Sequence, residues 1–178
     1  EPIRQLLFLA SKQIDSWNFP KSLDNTKIIK AIDESGLLSN SSLKTKNLQN
    51  NLFPFDSLSA NVLTKAIQDY GQNERSLFTF LARRDEESIY SYASEGRRFN
   101  LIEVYNYLLS AYYTQIVDRY NRDKGKWDRI RISIDRANAY IEQADKITID
   151  IIKIIGLLSI YANKGGKLTE SFLSDYLQ

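Results

Sequence analysis

Apolar residues recur at intervals of three and four along nearly the whole chain, the spacing that gathers them on one face of an α-helix. Ile3, Leu6, Leu7, Ala10, Ile14 and Trp17 form the first such stripe, and Pro2 suits its opening turn. Phe19-Pro20 ends it, because the residue before a proline is driven out of helical geometry. A short second helix carries Ile28, Ile29 and Ile32, with Asp24 as its cap and Gly36 as its stop. Residues 38–51 are rich in Ser, Asn and Lys and read as a loop or a frayed helix, the best internal boundary in the chain.

From residue 52 the pattern sharpens. Leu58, Val62, Leu63, Ala66, Ile67 and Tyr70 share one face that closes at Gly71. Leu77, Phe78 and Leu81 continue it, then Ile89, Tyr92 and Ala93 up to Gly96. Asn100 and Glu103 have the spacing of a capping box, opening a long stripe through Val104, Leu108, Tyr112 and Ile116, which Gly125 is expected to break. Ile130, Ile134, Ala137, Ile141 and Ala144 repeat at the same period. The next helix, with Ile147, Ile151, Ile154, Ile155, Leu158 and Tyr161, is apolar almost all round, which predicts a buried central helix with Ile155 inside. Asn163 to Gly166 make a tight turn, and Thr169 caps a last helix with Leu168 and Leu173 as a hydrophobic staple. No window alternates like a strand. The pattern predicts an all-α protein, an irregular multi-helix bundle of roughly seven to nine helices. It divides into an N-terminal segment and linker (1–50), a helical bundle (51–145) and a C-terminal unit (146–178) that resembles the start of a winged helix.

Composition narrows the chemistry. The 178 residues include no His, no Cys and no Met, with 24 Lys+Arg against 22 Asp+Glu and a net charge of +2. Disulfides, thiolate or imidazole metal sites and His-activated nucleophiles are therefore excluded, and any metal would need oxygen ligands, which suits Mg²⁺ or Ca²⁺. A chain that begins at Glu1 without any Met reads as a processed product or an excised piece. Its first helix is interrupted by Arg4, Lys12 and Asp15, unlike a secretory leader. The apolar stretch at 147–162 is broken by Asp150 and Lys153 and is too short to span a bilayer, so a cytoplasmic protein without a membrane partner is expected.

Neither Gly125-Lys126 nor Gly166-Lys167 has the remaining residues of a phosphate loop. Asp85, Glu86 and Glu87, and the pair Asp145 and Asp150, are the candidate carboxylates for acid–base chemistry, and the first three sit at a helix start, where acidic side chains complement the macrodipole. A basic run holds Arg119, Arg122, Lys124, Lys126, Arg129, Arg131 and Arg136, with Trp127 and Tyr120 interleaved. Cations with aromatics suit nucleic acid, but Asp118, Asp123, Asp128 and Asp135 lie in the same run and can pair along the helix. Tyrosine is abundant, at 11 residues, and is expected to pack its rings at the edge of the core.

Several runs resemble, in order, a recurring stretch of large bacterial P-loop ATPases of STAND/AAA-like organisation associated with conflict systems. They are LFPFDSL at 52–58, YGQNERSLFTFL at 70–81, KW at 126–127, IDRA at 134–137, IKIIGLL at 152–158 and LTESFL at 168–173. The family turn often reads Pro-Leu-His-Pro, whereas here Asp56 and Ser57 occupy the last two positions. The resemblance implies a helical lid-like region followed by the first helices of a winged-helix-like module. It also implies that ATP, Mg²⁺ and the phosphate loop belong to a larger parent protein, with no cofactor in this chain. The expected function is non-catalytic: a regulatory lid whose partner is the rest of that ATPase. Arg75 is the candidate sensor of a γ-phosphate, or else a structural partner of Glu74 or Asp69. Gln72, Asn73 and Glu74 mark the polar edge before it, where Asn73 can cap the following helix, and Arg122, Lys124, Lys126, Trp127 and Arg129 are the candidate interaction residues. The alternative is a freestanding helical domain that binds nucleic acid or protein.

Overall fold

The computed structural model describes residues 2–19, 26–38, 52–71, 74–140 and 145–177. Nine helices lie among them: α1 (Pro2–Asp15), α2 (Thr26–Ser35), α3 (Ser57–Tyr70), α4 (Glu74–Ala82), α5 (Ile89–Ser94), α6 (Leu101–Val117), α7 (Lys124–Tyr140), α8 (Lys146–Tyr161) and α9 (Glu170–Leu177). Among the described residues there is no strand, only a single bridge between Phe55 and Phe99. The chain is all-α, a multi-helix bundle. The caps expected at Asp24 and Asn73, the stripe positions Ile141 and Ala144, and all of the 38–51 boundary except Leu38 fall outside the described residues.

The helix ends follow local chemistry. Gly36 and Gly96 take positive φ values of 64° and 67°, which lets the chain leave α2 and α5 in the left-handed conformation. The Asn100–Glu103 capping box forms as the spacing predicts. Ser88 caps α5 by accepting from the Ser91 amide, and Asp145 caps α8 by accepting from Thr148. Thr169 Oγ1 accepts from the Phe172 amide at 3.1 Å, with Leu168 and Leu173 both packed on the core.

Gly125 does not break the long stripe. It lies in the first turn of α7. The break comes earlier, where Asp118 leaves helical geometry and its carboxylate accepts from the Tyr120 amide at 2.7 Å. Asn121 then accepts from the Asp123 amide at 3.0 Å. Two short polar side chains that bind the backbone two residues on end the helix more firmly than one glycine.

The buried centre is α3. Every residue from Ser57 to Thr64 is buried, as are Ala66 and Ile67, and the helix packs against α1, α2, α4, α6 and α8. The apolar pattern assigns that position to α8, and here the structure differs. α8 packs on α3, α6 and α7 through Ile154, Leu157, Leu158 and Tyr161, but Ile147 is 60% exposed and Ile155 41% exposed. Apolarity on all sides sets how much surface a helix can bury, not how many neighbours enclose it. α3 carries Ser57, Ser59, Asn61 and Thr64, looks less apolar, and is surrounded.

One core runs through all three segments of the chain, from Ala10 and Ile32 through Phe80 and Phe99 to Phe172 and Tyr176. Phe55, Phe80, Phe99 and Tyr107 stack edge-on or offset near its middle, with centroids 4.6–6.0 Å apart. The turn after α8 is latched to the end of α2: the Asn163 amide donates to Leu37 O at 3.0 Å and the Lys167 amide to Ser35 O at 2.7 Å. Gly166 permits this approach, since a Cβ there would lie 2.8 Å from Leu37 Cα. Among the described residues no helix is long and apolar enough to cross a membrane.

Candidate functional site

A cleft of about 430 Å³ opens where the C-terminal end of α3 meets the turn between α6 and α7. Asp69 and Tyr70 come from α3, and Asp118, Asn121, Arg122 and Asp123 from the turn. The turn residues reach the cleft because the Asp118 and Asn121 side chains fold the backbone back on itself. Tyr70 anchors the other wall. Its hydroxyl accepts from Trp127 Nε1 at 2.8 Å and from Asn121 Nδ2 at 3.4 Å, so α3, the turn and α7 are tied at one oxygen. Asn121 also donates to Ile116 O at 2.8 Å, which fixes the amide.

The charges of the cleft are unevenly matched. Asp123 is buried and pairs with Lys126 at 2.9 Å and Arg122 at 3.3 Å. Burial works to raise its carboxyl, but those two cations outweigh it and hold it below the usual carboxylate value. Asp69 behaves in the opposite way. Partial burial raises it, Asp123 adds to that, and Arg122 and Lys65 offset only part. Tyr161, on α8, is 4% exposed. Burial pushes that phenol far up, with Tyr70, Asp69 and Asp123 contributing. Among the described residues no group of three or more carboxylates is placed to hold a metal ion.

The residues singled out from the sequence separate into distinct places. Arg122 lines the cleft, and Lys126 pairs with Asp123 at its edge. Trp127 is not a surface platform: it is 4% exposed, packs against Tyr105 and Tyr70, and donates to the Tyr70 hydroxyl. Lys124 pairs with Asp128, which also takes Arg131 at 3.3 Å, so much of the basic run forms ion pairs along its own helix. Arg129 is exposed on α7. Arg75 is exposed in the first turn of α4, with Glu74 beside it in the same turn. Gln72 and Asn73 lie outside the described residues. The candidate carboxylates turn out structural: Asp85 pairs with Arg83 at 2.8 Å, Asp145 is a cap, and Asp150 is buried with Lys153 at 3.8 Å.

Sequence reasoning took Asp69 only as a partner for Arg75 and Asp118 only as a neutraliser of the basic run. The DRYNRD turn at 118–123 is the signal that marks the second wall, since Asp and Asn two and three residues apart favour such a turn. No signal in the chain links it to Tyr70. No protein-family model matches the chain, and neither a curated protein nor a solved structure matches it significantly.

Proposed function

We propose that the chain is a helical regulatory module of the lid type, part of a larger nucleotide-driven P-loop ATPase in a bacterial defence-type system. The observation that carries this reading is the hydrogen bond from Trp127 Nε1 to Tyr70 Oη, 2.8 Å long across 57 residues. It joins two of the runs on which the resemblance rests. Two further runs pack on residues that flank others: Gly156, in the 152–158 run, packs on Ile130 of α7, between the 126–127 and 134–137 runs, and Asp56, in the 52–58 run, bonds to Tyr176 just after the 168–173 run. Short matches scattered in sequence but tied in space form one packed unit, which is what an element must be to move as a body with nucleotide state.

In this reading ATP and Mg²⁺ are held elsewhere in the parent protein. Arg75 fits the part that the chain itself would contribute, because it is exposed in the first turn of a helix anchored by buried Leu77, Phe80 and Leu81. A guanidinium so mounted can reach a γ-phosphate on an apposed domain. The turn after α8 and the capped α9 would open the winged-helix-like unit. The reading frame around this segment tests the proposal: a phosphate-loop motif in the same frame is expected, and a frame without one overturns it. In the larger protein, Arg75→Ala should slow nucleotide turnover about tenfold or more with an unchanged melting temperature. Lost stability with full turnover would make Arg75 a structural residue.

The open cleft favours a second reading, a freestanding protein-interaction domain. The nucleic-acid alternative draws less support, because the basic run is largely paired and its tryptophan is buried.

A further inference from the structure

We propose that α9 is a proton-sensitive strap: it lifts off the starts of α3 and α6, which stay folded, as the Asp56 carboxyl that it covers ionises. The inference does not depend on the ATPase reading.

The packing of α9 suits a helix that leaves by itself. It has eight residues, of which Phe172 and Tyr176 are buried, and its main neighbour is α2. A helix this short is not stable alone, so its order comes from docking. The chain before it is fixed separately, because the Lys167 amide donates to Ser35 O at 2.7 Å. Residues 168 and 169 are thus left as the pivot. An element held by few buried side chains opens locally at less cost than the whole fold.

What α9 covers is a buried carboxylate without a counter-charge. The Tyr176 hydroxyl lies 2.6 Å from Asp56 Oδ2, while Oδ1 is taken by the Leu58 and Ser59 amides. Among the described residues no Lys or Arg lies within ion-pair distance of Asp56, and none bears on it electrostatically. The ionisable groups facing the pair are Tyr176 itself and Glu103 of α6. Asp150 of α8 and Arg97 act on Glu103 in turn. The charged residues of α2, Lys27, Lys30, Asp33 and Glu34, are all exposed, and those of α3, Lys65 and Asp69, lie towards its far end.

The hydrogen bond survives either state of the carboxyl, since a phenol oxygen accepts from the acid as readily as the phenol donates to the carboxylate. Charge is what changes. An ionised carboxylate shut away from water with no cation is costly, and water reaches Oδ2 once α9 lifts. Burial accordingly raises the docked carboxyl above its ordinary value, against the hydrogen bonds from Tyr176, Ser59 and Leu58. Docking is therefore fully favoured below the released value, about 3.9, and weakens as pH rises through the docked one.

Hydrogen exchange of the full chain, read by mass spectrometry from about pH 5 to 8 and corrected for intrinsic rates, tests the strap. The amides of 173–177 should be far less protected than those of α3 and α6 at every pH. Their protection should fall about tenfold or more as pH rises over that range. Asp56→Asn keeps an acceptor for the cap and removes the charge, so its α9 protection should vary less than about twofold. Glu103→Gln should retain the trend of the parent chain. Tyr176→Phe, which leaves Asp56 in place, should lower α9 protection about tenfold. The proposal is overturned by α9 protection that matches α3, by a flat profile in the parent chain, or by unaltered protection in Tyr176→Phe. A trend that persists in Asp56→Asn, or vanishes in Glu103→Gln, also overturns it.

Discussion

The Tyr176 hydroxyl donates a hydrogen bond to the Asp56 carboxylate, 2.6 Å away and 120 residues distant in sequence. The same carboxylate caps α3, accepting from the Leu58 and Ser59 amides at 2.9 and 2.7 Å. Tyr176 in turn accepts from the Leu101 amide at 3.2 Å, so one phenol fastens the starts of α3 and α6 to the last helix. A carboxylate at position 56 serves as an N-cap, because its oxygens accept from the free amides of the first helical turn.

Tyr176→Phe removes the donor while leaving the ring in place. The Asp56 Oδ2 atom and the Leu101 amide then each lose their buried partner, and stability in urea should fall by about 1–3 kcal/mol. An unchanged denaturation midpoint would show that the bond contributes nothing net.

The Asp56 carboxyl is raised above its ordinary value, chiefly by burial, against the opposing hydrogen bonds from Tyr176, Ser59 and Leu58. A raised folded-state value means that the folded protein holds this proton more tightly than the unfolded chain. The stabilisation is thus complete below the unfolded value near 3.9 and is lost as pH rises through the folded one. Asp56→Asn keeps an acceptor for the cap and removes the charge. Its stability relative to the parent should improve steadily as pH rises from about 3 to 8, measured by denaturation at each pH. A difference that stays flat, or runs the other way, contradicts the assigned direction.

Asn61 lies at the centre of α3, is 0% exposed, and neither its Oδ1 nor its Nδ2 has a partner. An unpaired buried amide costs more than an apolar group of similar shape. Asn61→Leu should therefore stabilise the fold by about 1 kcal/mol, read as a higher melting temperature. A fall would mean that the amide finds partners in solution.

Gly156 lets α8 approach α7, and a Cβ there would lie 2.4 Å from Ile130 Cγ1. Gly156→Ala should cost about 1–3 kcal/mol through overpacking. Ile130→Ala removes the clashing atoms, so the double variant should be less destabilised than the sum of the singles, as a double-mutant cycle measures. Strict additivity would place the two residues out of contact.

On α8 the position of the substitution matters. Leu157→Asp, at 0% exposure, should bury an unpaired charge and unfold the protein, at a cost of several kcal/mol. Ile155→Asp, at 41% exposure, should fold with a melting temperature close to the parent's. Circular dichroism of the two variants separates these outcomes.

The sequence by itself determined the helices and most of their ends. Three-and-four periodicity, the Asn100–Glu103 box, the Thr169 cap and the glycines at 36 and 96 all act within a few residues, so they read the same in any surroundings. It also located Arg122 and Lys126 within the cleft's edge, as members of a charged run. Only the tertiary structure decided which helix lies at the centre, that Trp127 is buried and not a surface residue, and that Asp69 and Asp118 form two walls of one cleft. The reason is geometric. A helical period fixes the face on which a side chain lies, but which partner meets that face is set by how the helices cross. Those crossings bring Tyr70 to Trp127 and Asp56 to Tyr176 across 57 and 120 residues that share no local pattern.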